Sequence, residues 1–84
     1  MEDDASASLE QVANSVFVEV APYLQYPDWV KATVLLHLKE VGHVEGLVKA
    51  LEAEIAHQDD RLKQSDLRIY ISHLLRMWNK KSAK

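Results

Sequence analysis

The stretch Pro27-Asp28-Trp29-Val30-Lys31-Ala32-Thr33-Val34-Leu35-Leu36-His37-Leu38-Lys39-Glu40-Val41-Gly42 decides how this chain must fold. Pro27 or Asp28 can open a helix, because a proline fits the first helical turn and a carboxylate there meets free amides and the positive end of the dipole. Within the segment Val30, Val34, Leu38 and Val41 form one apolar stripe, while Trp29, Ala32 and Leu36 form a second. A helix that is apolar almost all round needs cover on two sides. The chain's own core can supply one cover, and a second subunit or another partner the other.

Outward from this helix, both neighbours also repeat apolar residues at helical spacing. On the N-terminal side Leu9, Val12, Ala13, Val16, Phe17 and Val20 share one narrow face, with Val18 opposite, and Ser8 is placed to cap the helix. Pro22 ends or kinks it. The link Pro22-Tyr23-Leu24-Gln25-Tyr26-Pro27 is too apolar for a solvated linker and too proline-limited for a helix, so it is expected to pack onto the body.

On the C-terminal side Gly42 suits the left-handed position that closes a helix. Val44, Leu47, Val48, Leu51 and Ile55 then form a third stripe, with Gly46 in the first turn as a point of close approach. The fourth stripe holds Leu67, Tyr70, Ile71, Leu74, Leu75 and Trp78, turned by roughly 150° from the third at 100° per residue. A break within residues 57–65 is required, and Ser65 or Asp66 can cap the restart. There is no strand-like alternation and no internal repeat. The expected architecture is an all-α bundle of about four helices that dimerisation can complete. Residues 1–7 read as a disordered acidic tail, 8–80 as one helical domain and 81–84 as a basic tail.

Composition bounds the function. At 84 residues the chain has room for one domain and a thin stability margin, so partners or self-association matter. It has no cysteine, which removes disulfides and thiolate ligands and fits a reducing, cytoplasmic or other intracellular compartment. The start lacks the apolar run of a secretory signal, and no apolar window approaches the ~20 residues of a membrane span. The charge is two-ended. Residues 1–60 carry twelve acidic and three basic side chains, whereas residues 61–84 carry seven basic ones and a single acid, Asp66.

Chemistry-bearing patterns are sparse. His37, His43, His57 and His73 form no His-x3-His pair and no His-Glu-x2-His, and read as surface or capping residues. No serine sits in a glycine elbow, and two glycines cannot build a phosphate cradle. Asp59-Asp60 reads as a solvated loop or cap. The chain is therefore expected not to be an enzyme, with no cofactor, metal or small-molecule substrate.

Three partner classes remain. The leading expectation is a protein-protein interaction module, adaptor or small subunit, self-associating as a homodimer through Tyr23, Tyr26, Trp29, Ala32 and Leu36. Aromatics of this kind anchor interfaces disproportionately, although they also serve as core lids. Ile69, Met77 and Val18 add apolar surface outside the main stripes. The alternative is nucleic-acid binding through Arg68, Arg76, Asn79, Lys80 and Lys81, donors suited to phosphates and bases. A helix-turn-helix at Gly42 is a weak reading of that class, because Glu45, Glu52 and Glu54 on the third helix oppose a polyanion. A third class is an acidic inhibitor or nucleic-acid mimic, using Glu40, Glu45, Glu52, Glu54, Asp59 and Asp60.

Overall fold

In the computed structural model residues 5–82 are described, with side chains described over residues 9–80. Helix α1 runs over Ala5–Val20 and passes through a single 3-10 turn, Ala21–Tyr23, into α2, Pro27–Glu40. Helix α3 covers Val44–His57 and α4 covers Arg61–Ser82. No strand occurs among the described residues. The four helices form an all-α bundle measuring 41 × 24 × 19 Å, in which α4 packs against all three others.

Each helix buries most of the stripe that its periodicity marks. Leu9, Val16 and Val20 of α1, Val30 of α2, Leu47 and Leu51 of α3, and Leu67, Tyr70 and Leu74 of α4 are fully buried. Tyr70 brings a polar atom into this core and satisfies it by donating its hydroxyl to the Ala13 carbonyl at 2.8 Å. Burial raises the Tyr70 hydroxyl well above its ordinary pKa, because the phenolate would have to be stripped of water. His37 ties α2 to α3, with its Nε2 3.0 Å from Glu54 Oε2. The Lys31 ammonium lies 5.6 Å from the centre of the Phe17 ring and joins α2 to α1.

The ends of the helices depart from expectation in ways that local chemistry explains. Helix α1 begins at Ala5, not at a Ser8 cap, since Ala5, Ser6 and Ala7 continue the helix at little cost and include its best former. The expected disordered tail thus loses residues 5–7 to the helix, and residues 1–4 lie outside the described residues. Gly42 is not left-handed; Val41 closes α2 in an extended conformation, its amide bonded to His37 O. The α3–α4 break falls at 58–60, and Asp60 caps α4 in place of Ser65 or Asp66. Its Oδ1 accepts from the Leu62 amide at 2.8 Å and the Lys63 amide at 3.4 Å.

Gly46 serves a cap and not a helix crossing. His43 Nδ1 accepts from the Gly46 amide at 3.0 Å, and a Cβ on Gly46 would stand 2.8 Å from His43 Cε1. Two further corrections concern α4. Leu75, placed by its phase in the core stripe, is 40% exposed, whereas Ile69 and Met77 are half-buried and packed on the core. Those two add little free apolar surface. Val18 does, at 72% exposed.

Candidate protein-contact surface

Helix α2 presents two unlike sides. Val30, Thr33 and Val34 are buried, with Leu38 and Val41 packed beside them. Ala32, Leu35 and Leu36 face away from the core, with Leu36 56% exposed. Of the second stripe expected on this helix, Ala32 and Leu36 are exposed, whereas Trp29 is half-buried against the core. Leu35, whose phase falls between the two sets, joins this face.

The aromatic turn borders this face at the N-terminal end of α2. Tyr23 is 68% exposed, Tyr26 is at the margin of exposure and Trp29 is half-buried against the core. The turn is held from beneath by Asp66, 1% exposed, whose two carboxylate oxygens accept the Gln25 amide at 3.0 Å and the Tyr26 amide at 2.7 Å. A buried carboxylate is tolerable when it receives amide donors of this kind. Asp66 therefore fixes the chain before Pro27, where a proline-limited segment has no helical bonds of its own.

Lys63, one turn before Asp66 on α4, completes the arrangement. Its ammonium lies 5.3 Å from the centre of the Tyr26 ring and 5.0 Å from that of Trp29, within cation–π range of both. The Asp60 carboxylate raises the Tyr26 hydroxyl above its ordinary pKa. Gln64 Nε2 donates to Gln58 O at 2.6 Å and Ile55 O at 3.2 Å, satisfying carbonyls freed at the end of α3. The first two turns of α4 thus anchor both the α3–α4 junction and the aromatic turn. Sequence reasoning missed Asp66 and Lys63 in these roles. The signal was there: Asp66 is the one acid in an otherwise basic segment.

The nucleic-acid candidates Arg68, Arg76, Asn79 and Lys80 are exposed along the outward side of α4. The side chain of Lys81 lies outside the described residues. Carboxylates stand close by: Glu52 shares a hollow with Arg68, and Glu19 shares one with Arg76 and Lys80. The α3–α4 groove, about 500 Å³, is lined by Val44, Val48, Leu75 and Trp78 with Glu45 and Lys49 at its edge. Among the described residues no helix is long and apolar enough to cross a membrane.

The chain belongs to the MJ1579 family, whose model matches residues 10–79 and so takes in α2, the aromatic turn and Asp66. No curated protein and no solved structure matches.

Proposed function

We propose that this member of the MJ1579 family is a non-enzymatic helical interaction module, a self-associating small subunit that uses the outer face of α2 and the aromatic turn as its protein-contact surface. One observation carries the reading. Leu36 is 56% exposed and Leu35 37% exposed on the same helix, next to a half-buried Trp29 and a Tyr23 that is 68% exposed. Single exposed apolar residues are ordinary, but a run of them on one helix beside pinned aromatics is the composition of an interface core.

Preorganisation supports the same reading. The turn is fixed by Asp66 and Lys63 before any partner arrives, so little chain entropy remains to be lost there on binding. Covering the exposed part of each leucine contributes about 1 kcal/mol at ~25 cal/mol per Å². Light scattering over a range of concentrations, at low and high salt, tests it. A salt-resistant assembly that Leu36→Glu disrupts is the expected result, and an unchanged assembly or partner affinity in Leu36→Glu overturns it.

A second reading rests on the alignment of Arg68, Arg76, Asn79 and Lys80 along one exposed side of α4. Nucleic-acid binding there predicts an affinity that falls steeply with salt, with a shallower slope in Arg76→Ala. Glu19 and Glu52 beside these cations weigh against a polyanion. Absence of binding to DNA or RNA at low salt removes this reading.

A further inference from the structure

One exposed line of α2 reads Asp28, Ala32, Leu35, Lys39, at spacings of four, three and four residues. All four are exposed. These steps match the seam of a helix pair, in which positions alternating by three and four face a partner helix. The line is also its own complement when reversed: an acid begins it, a base ends it, and a small and a large apolar residue lie between.

We propose that α2 pairs antiparallel with the α2 of a second copy about a two-fold axis passing between residues 33 and 34. The inference rests on the reading of α2 as the contact face and adds its occupant and register. In this pairing Asp28 of each copy faces Lys39 of the other, and Ala32 of each faces Leu35 of the other. A small residue opposite a large one lets the helices approach closely without leaving a void. Leu36, beside the seam, comes nearly level with Trp29 of the second copy, which covers the most exposed leucine of the helix.

Charge selects the direction. A parallel pair in register would set Asp28 against Asp28 and Lys39 against Lys39, so both ends would repel. The antiparallel pair makes both ends attractive. An isologous contact of this kind closes on itself and yields a dimer, not a filament. The aromatic turn, pinned by Asp66, then sits at each end of the seam next to the Lys39 end of the other copy.

The chain contains no cysteine, so introduced thiols report register without background. Asp28→Cys and Lys39→Cys proteins, mixed under mild oxidation, are expected to give a disulfide-linked heterodimer. Asp28→Cys alone is expected to give none, because like positions would lie roughly 16 Å apart at 1.5 Å per residue, beyond disulfide reach. A charge exchange provides the independent arm. Asp28→Lys and Lys39→Asp should each weaken association about tenfold with unchanged helical circular dichroism, and their equimolar mixture should restore it.

Preferential self-linking of Asp28→Cys overturns the antiparallel arrangement, and a wild-type monomer at high concentration overturns the pairing itself. If the wild type dimerises and Leu36→Glu disrupts it while the exchanged thiols fail to link, the axis is wrong and the contact face stands. If Leu36→Glu leaves all association unchanged, the face and the pairing fall together.

Discussion

The Asp66 carboxylate of α4 accepts the backbone amide of Tyr26 at 2.7 Å, joining residues 40 positions apart in the chain. Through this bond and its companion to Gln25 the last helix sets the entry to α2, and with it the angle at which the outer face of α2 is displayed.

Removing that carboxylate leaves two amides without their acceptor and a buried gap. Asp66→Ala is expected to cost about 3 kcal/mol, since charged hydrogen bonds contribute roughly 1.5–3 kcal/mol each and solvent can recover part of the loss. In a domain of this size that is a fall in Tm on the order of 15 °C. Calorimetry on Asp66→Ala and Asp66→Asn checks it. Asn keeps one carbonyl acceptor and should recover part of the loss, and an unchanged Tm in both would show that the turn is held elsewhere.

Lys63 makes a smaller and more local contribution. Lys63→Ala is expected to cost about 1 kcal/mol and to alter the emission of Trp29, read in a Trp78→Phe background so that one indole reports. Lys63→Arg should retain both stability and spectrum, because the guanidinium can also sit over the two rings. Emission unchanged in Lys63→Ala would mean that the ammonium does not occupy its place over Trp29 in solution.

Tyr70 links stability to alkaline pH. Its folded pKa is raised, so the folded chain holds the proton that the unfolded chain gives up near pH 10. Its contribution is complete below that value and is lost as pH rises towards the folded pKa. Urea unfolding at pH 8 and pH 11 should show a loss of stability in the wild type. In Tyr70→Phe that loss should shrink, alongside a pH-independent cost of about 1 kcal/mol for the bond to Ala13. Equal pH slopes in the two proteins would place the alkaline sensitivity in other groups.

The fold was legible because each helix carries its own stripe. Leu9, Val12, Ala13, Val16 and Val20, Val30 and Val34, Leu47 and Leu51, and Leu67, Tyr70, Ile71 and Leu74 all lie inside as their phases require. Phase could not resolve Leu75 from Trp78, since burial at the edge of a stripe depends on which helix stands alongside. The caps were ambiguous for a related reason: Asp60, Ser65 and Asp66 all satisfy the local requirement, and only the fold shows that Asp66 is used by a turn from another part of the chain. Periodicity marked the exposed second stripe of α2. Its anchoring by Lys63 is a long-range contact with no local signature.

The contact face itself is tested by comparing Leu36 with Val18. Both are exposed β- or γ-branched aliphatic residues, at 56% and 72%, but they lie on different helices. Replacing either by glutamate exchanges the same kind of apolar surface for charge, so a general effect of solubility or net charge would appear in both. If α2 is the contact face, Leu36→Glu loses roughly 1 kcal/mol of apolar burial per copy and adds the cost of desolvating a carboxylate, which together weaken association at least tenfold. Val18→Glu should leave association unchanged, and both should leave folding nearly unchanged, since neither residue belongs to the core. Sedimentation equilibrium on the two variants and the wild type reads the difference. Equal weakening in both would trace association to nonspecific apolar exposure, and weakening in Val18→Glu alone would move the interface from α2 to α1.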